Sequence, residues 1–476
     1  MDASTPKLQI TPAKNLEEVY QTLQPEPLET IEQLKAFYKD EMNQVRGGDK
    51  MERIKLGLTR AYKSRTYFKA CFMGHRGVGK STELSRLINE VQTQFHTIRF
   101  SAVSTLDPNN FRPLDVVLMM MADVADRTAK PIKEGGAGKR PPEARLQEIW
   151  DWFASEKDIH EQSNAIAASL EAGAGVKEDS LWNQVLGLFA TIKGEIKFAS
   201  TRKTEVVEHR VSRLTTLIEV ANRLLDDCND LLRKASGHEW LYVGEDFDRA
   251  GIPNARIEDL FITYANIFRE LRTHLIFNLP IGLFYSSKAP QLPFSSDCSF
   301  VLPDTPVFQQ DHSANDKGRK ALEVVLEARM SLDLFEPEQM TRLIIASGGN
   351  LRDLFALVNY AADTATLRSS DKIGAGDATA AIVNLRSDYQ GRLGQSPYDP
   401  ETVKYEDKAD RLLKIYDSDK VADIPDAVLY SLLNARAVQE FNGQRWFGVH
   451  PLVVDILAKQ KRLVRTESGE LLGGTQ

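Results

Sequence analysis

The chain has 476 residues, room for two or three domains, with 42% hydrophobic and 27% charged residues and a formal net charge of −7. This is the composition of a soluble globular protein, and its charge gives no global attraction to nucleic acid or to an anionic membrane, only room for local basic faces. Three well-separated cysteines (Cys71, Cys228, Cys298) without CxxC spacing fit a reducing cytoplasm and no structural zinc.

Residues 1–50 are polar and punctuated by proline ("QPEPLET"), then helical in "IEQLKAFYKDEMNQV", with a break at Gly47-Gly48. They read as an arm leading into the core, and the first residues lack the apolar stretch of a signal peptide. The longest apolar run, 114–125, is short and carries Asp115 and Asp123, so no bilayer span is expected.

"TYFKACFM" (66–73) predicts a buried parallel strand running into a tight loop. From Ser81, Leu84, Leu87, Ile88 and Val91 fall on one helical face, and "HTIRFSAV" (96–103) predicts the next strand. Strand, glycine loop, helix, strand opens an α/β nucleotide-binding domain. Residues 105–237 then interrupt the alternation with mostly helical sequence. Within them Val207, Val211, Leu214, Ile218, Ala221, Leu225, Cys228 and Leu232 keep heptad spacing, which suits a core helix packed on its neighbours or an intermolecular coiled coil.

The α/β pattern resumes with a strand read as 241–244 in "EWLYVGEDFDR", a helix over 256–273, and strands over 281–287 and within 299–308. Helices are expected to about residue 393, then at 405–415 and 425–435. Two β-like runs joined by Asn442-Gly443 follow, a strong hairpin signal that suggests a small winged-helix module. The expected division is an arm (1–50), a P-loop core (51–308) with the insertion 105–237, a helical lid (309–395) and a winged-helix-like domain (396–476).

The chemistry concentrates in two places. Gly74-His75-Arg76-Gly77-Val78-Gly79-Lys80-Ser81 fits GxxxxGK[ST] in the strand–loop–helix setting that the pattern requires. Its glycines let successive N–H groups face a β-phosphate, and the helix N-terminus adds partial positive charge. Lys80 would reach the β- and γ-phosphates and Ser81, followed by Thr82, would offer a hydroxyl to Mg²⁺. The second place is Glu245, Asp246 and Asp248, carboxylates straight after an apolar run. On the 241–244 register Glu245 takes the metal position and Asp246 the position that orients the attacking water; the metal position is more often Asp, which keeps Asp246 a metal candidate as well, and Asp248 is either a third participant or a structural partner of Arg249.

"GHRGVGKSTEL", "VGEDFDR", "LPIGLFYSS" and "SGGNLRDLFALVNYAADTA" resemble the AAA+/STAND group of P-loop ATPases, in particular bacterial ATP-binding proteins with a C-terminal winged helix. The resemblance runs from about residue 50 to 458. It implies ATP rather than GTP with Mg²⁺ as cofactor, Walker A at 74–81 and Walker B in the acids at 245–248. It also implies a sensor 1 residue at Ser286 or Ser287, and a sensor 2 arginine, Arg352, that reports the γ-phosphate to the lid. One departure stands out: the segment 287–299 has no arginine where ring-forming relatives carry a finger for the neighbouring subunit, leaving Arg249, Arg269, Arg272 and Arg329 as substitutes. The implied function is a slow ATPase switch that controls self-assembly or a separate effector, with defence signalling implied by the STAND likeness. Two rivals are a DNA-associated ATPase using the winged helix and the basic residues Lys459, Lys461, Arg462 and Arg465, and a scaffold that holds nucleotide without turnover.

Overall fold

The computed structural model describes residues 9–155, 179–197, 211–249, 251–394, 403–441 and 446–463. At its centre five strands, β1 (Lys69–Gly74), β2 (Phe95–Ser101), β3 (Glu239–Glu245), β4 (His274–Pro280) and β5 (Ser299–Val301), form a fully parallel sheet in the order β2-β3-β4-β1-β5. The middle strands are near-continuous apolar runs because helices cover both faces. On one side Phe72, Leu241, Val243 and Ile276 pack against the helices Lys50–Ser64 and Lys80–Val91 through Ile54, Leu58, Leu84 and Leu87. On the other, the alternate residues Cys71, Met73, Trp240, Tyr242 and Phe277 meet the inserted helices. This is the P-loop type of α/β core, with its ligand crevice outside the carboxyl ends of the strands.

The insertion between β2 and β3 contributes helices Pro113–Ala129, Glu143–Ser155, Asp179–Lys197 and Val211–Ser236. In the last of these Leu214, Ile218, Ala221, Leu225, Cys228 and Leu232 are buried against Pro113–Ala129, Glu143–Ser155 and β3. The heptad seam is thus covered within the chain over the described residues; Val207 lies outside them.

Two expected elements are corrected. The continuous helix over 256–273 is three short pieces, Asn254–Glu258, a π turn at Asp259–Thr263, and Asn266–Glu270. The strand expected over 281–287 is instead β4 at His274–Pro280, in register with β1 from Lys69↔Leu275 to Gly74↔Pro280. The proline decides the matter. It lacks an N–H and its fixed φ starts a helical turn, so the apolar residues after it form the helix Ile281–Phe284.

Beyond the sheet, helices Asp316–Glu327, Gln339–Ala346, Leu351–Leu367 and Ala375–Arg392 pack together. The C-terminal elements are helices Tyr405–Tyr416 and Ala427–Asn434, the antiparallel strands β6 (Val438–Phe441) and β7 (Trp446–Val449), and the helix Pro451–Lys459. The Asn442-Gly443 turn lies outside the described residues. The N-terminal segment does more than lead into the core. Its helix Leu16–Thr22 packs on Leu351–Leu367, where Asn359 Nδ2 donates to the Leu23 carbonyl at 3.0 Å. Among the described residues no helix is long and apolar enough to cross a membrane.

Candidate functional site

The loop 75–79 leaves β1 at Gly74 and enters the helix Lys80–Val91. Gly77 (φ 93°) and Gly79 (φ 103°) hold left-handed backbone that an L side chain resists. At Gly77 space is also decisive, because an added Cβ would sit 2.4 Å from Asn350 Oδ1 and 2.7 Å from Arg352 Cβ. Val78 anchors the loop in the core with no exposed surface.

Lys80 is buried beneath the loop. Its Nζ donates to the carbonyls of Gly74 and His75, both at 2.8 Å, and pairs with Asp248 Oδ2 at 2.7 Å. His75 is tied to a distant acid: its Nδ1 lies 2.5 Å from Asp304 Oδ2, with both side chains buried. Burial alone would raise the Asp304 pKa, but His75, Arg46 and Arg436 hold it below the usual carboxylate range. Thr82 Oγ1 accepts from the Leu28 N–H at 3.1 Å, which fastens the N-terminal segment to the first turn of the helix.

Glu245 closes β3 and is buried. It accepts from Arg99 Nε at 2.7 Å and Nη2 at 2.6 Å, and from the Ser81 hydroxyl. Burial pushes its pKa up, and Arg99 and Ser81 pull it part of the way back. Asp246, one residue beyond the strand, adopts left-handed φ of 65°, a conformation in which Asp and Asn are enriched. There it accepts from Ser101 Oγ at 2.5 Å and pairs with Arg249 at 3.2 Å. The strand therefore runs one residue further than 241–244, and the three acids have separate partners: Glu245 with Arg99 and Ser81, Asp246 with Ser101 and Arg249, Asp248 with Lys80.

Ser81 and Glu245 lie together, one hydroxyl and one carboxylate, which fits Mg²⁺ that keeps most of its ligands from phosphate and water. No group of three or more His, Cys, Asp or Glu that could hold a metal by themselves occurs among the described residues.

Ser286 and Ser287 are not at a strand end. They follow the turn Ile281–Phe284, and Ser286 Oγ donates to the Leu283 carbonyl at 2.8 Å. The polar residue that β4 does present to the crevice is Asn278, buried, with an Oδ1 that has no hydrogen-bond partner. The sequence reading missed it because it placed the strand one apolar run too late.

Arg352 starts the helix Leu351–Leu367 under the cap of Asn350. Its N–H donates to the Gly77 carbonyl at 3.2 Å, and Asn350 Nδ2 donates to the Arg76 carbonyl at 3.0 Å. Arg436, unremarkable in the sequence, reaches the same carbonyl from the C-terminal elements (Nη1 at 3.3 Å) and pairs with Asp353 at 3.0 Å. Burial, together with Arg76 and Arg436, lowers the Arg352 pKa from its ordinary value.

These residues surround a cavity of about 1500 Å³, larger than the roughly 300–1000 Å³ common for small-molecule sites. The N-terminal segment contributes to the lining through Pro25–Glu29, Tyr38, Lys39, Met42 and Arg46. The substitute finger arginines also separate. Arg269 donates to the carbonyls of Gln291, Leu292 and Pro293, and Arg272 pairs with Asp226. Arg329 is buried between the rings of Phe37 and Phe355, and burial brings its pKa down to about 9. Arg249 lines the cavity, as does Arg329.

No family model matches the chain, and no curated protein matches it. Solved structures do. The Aeropyrum pernix ORC1 protein in complex with DNA aligns over 86% of this chain and 91% of its own, at 14% identity and a TM-score of 0.36. The Aeropyrum pernix ORC2 protein (ADPNP-ADP complexes) aligns over 93% and 98%, at 12% and 0.38. The Thermotoga maritima RuvB Holliday junction branch migration motor aligns over 93% and 100%, at 11% and 0.34. Similarity this distant says nothing of the chemistry, which is read from the residues above.

Proposed function

We propose that the chain is an ATP-dependent molecular switch. ATP would lie with its β-phosphate on the N–H groups of 77–80 and its γ-phosphate between Lys80 and Arg352, with Mg²⁺ held by Ser81 and Glu245. Bound metal would neutralise charge on the β- and γ-oxygens. Asp246 orients the attacking water and takes its proton, while Lys80 exchanges Asp248 for phosphate oxygens. The observation that carries the switch is the pair of hydrogen bonds from Arg352 N–H and Asn350 to the loop carbonyls, joined by Arg436. Through them the loop, the lid helix and the winged-helix-like elements share one set of contacts, so a phosphate that reshapes the loop must move them or be resisted by them. Lid position would then govern self-assembly or release of a partner effector, in line with the STAND resemblance.

The test is molar mass by light scattering with ADP and with a non-hydrolysable ATP analogue, beside Lys80→Ala. Growth to a defined oligomer with the analogue alone, absent in the variant, is the expected result. An unchanged mass in every state removes self-assembly and leaves the partner or DNA. Duplex DNA has weaker support: exposed Lys459 ends the last described helix, with exposed Lys461 and Arg462 just beyond it, and this is a small basic patch beside the set of arginines that line the cavity.

A further inference from the structure

We infer that Arg76, inside the phosphate loop, contacts the γ-phosphoryl group and supplies in cis the charge stabilisation that a neighbouring subunit's arginine would otherwise bring. The inference rests on the ATPase reading above and adds a residue to it. Arg76 lines the cavity together with Lys80, Asp246, Asp248, Arg249 and Arg352. Its backbone is held firmly, since its carbonyl accepts from Asn350 at 3.0 Å and from Arg436 at 3.3 Å, so the side chain starts from a fixed point. Its guanidinium has no ion-pair partner among the described residues, because each nearby acid is engaged: Asp248 by Lys80 at 2.7 Å, Asp246 by Arg249 at 3.2 Å, Asp353 by Arg436 at 3.0 Å.

Burial lowers the Arg76 pKa, and Arg249 and Arg436 add to this against the pull of Asp248 and Asp246. A half-buried guanidinium among other arginines, with its nearest carboxylates already paired, is a site that an anion relieves. The alternatives for a finger are otherwise occupied. Arg269 and Arg272 are bound elsewhere in the fold, Arg329 borders the cavity but is held by the carbonyls of Phe37 and Val325, both at 3.1 Å, and 287–299 holds no arginine.

In the reaction the water oxygen bonds to the γ-phosphorus as the bond from that phosphorus to the β,γ-bridging oxygen breaks. The electron pair of the broken bond stays on ADP, and the proton of the water passes to Asp246 and then to solvent. Negative charge therefore grows on the bridging oxygen beside the loop, where a fixed guanidinium is worth most.

The experiment is single-turnover hydrolysis of Mg-ATP by the full chain, its Arg76→Ala and Arg76→Lys variants, over roughly a hundredfold range of protein concentration, with ADP affinity measured alongside. The expected wild-type rate is independent of concentration. Arg76→Ala is expected to slow it about a hundredfold or more while ADP still binds, since ADP has no γ-phosphate, and adding Lys80→Ala protein as an arginine donor is expected not to restore it. An Arg76→Ala rate equal to wild type overturns the inference and leaves the ATPase reading standing. So does a rate that rises with concentration or recovers on mixing. If Arg76→Ala loses ADP binding, Arg76→Lys decides: at least about tenfold slower hydrolysis with ADP retained supports the role, and an unchanged rate overturns it. No wild-type hydrolysis at any concentration overturns both readings.

Discussion

The acids of 245–248 and the arginines facing them differ in one respect that organises the site. Each acid already has a cation: Arg99 on Glu245, Arg249 on Asp246, Lys80 on Asp248. Arg76 and Arg352 have no carboxylate partner among the described residues, and both line the cavity. Paired charges are ready to exchange partners when phosphate and metal arrive, at the cost of breaking an ion pair. Unpaired ones are ready to accept an anion outright. The contrast shows that this site has its positive charge set in advance and its negative charge held in reserve.

The largest expected effect tests the reserve. Asp246→Asn keeps size and the left-handed backbone but cannot take a proton, so hydrolysis should fall about 10²–10⁴-fold with nucleotide binding retained. Equilibrium binding with single-turnover rates checks this, and a variant as fast as wild type moves the base to Asp248.

The next effect lies behind the arginines. His450 is buried, stacks on Tyr389 at 4.1 Å, and Tyr389 donates to Asp353, the partner of Arg436. Burial depresses the His450 pKa to about 4 from an ordinary 6.5. A depressed histidine contributes stability that is present above pH 6.5 and lost as pH falls from there through about 4. The full loss is about 3 kcal/mol. Urea midpoints across that window should show it. His450→Asn, which can keep an acceptor for the Leu452 N–H, should flatten that part of the profile.

The smallest effect concerns the metal. Removing Arg99 (Arg99→Gln) frees Glu245, so at pH 8 the Mg²⁺ concentration for half-maximal hydrolysis should fall several-fold, on the order of 1 kcal/mol. It should also move the acid limb of the pH–rate profile to higher pH. Burial raises the Glu245 pKa and Arg99 opposes it, so without Arg99 protonation begins sooner on acidification. A Mg²⁺ titration at two pH values separates the two shifts, and no change in either would show that Arg99 only braces β2 to β3.

Much of this was legible early. GxxxxGKS and an acidic strand end are local patterns in which a few side chains and glycines fix the backbone, so loop, lysine and acids could be named before any tertiary contact was known. The late placement of β4 had a physical cause: "HLIFNLPIGLFYSS" holds two apolar runs of similar character, and only pairing beside β1 shows which is the strand. Ser286 and Ser287 therefore gave way to Asn278 as the polar residue that β4 presents to the cavity.

Local sequence was enough for the α/β class, the phosphate loop and the acids, because each rests on near neighbours and on the period of buried side chains. Packing of the whole chain was needed to choose the partners: Asp304 for His75, Arg99 for Glu245, Arg436 and Asn350 for the Arg76 carbonyl, and the N-terminal segment in the cavity lining. The four side-chain pairings link residues 146 to 360 positions apart. No local pattern encodes such pairings, since any arginine can meet any carboxylate until the packing of the core excludes all but one.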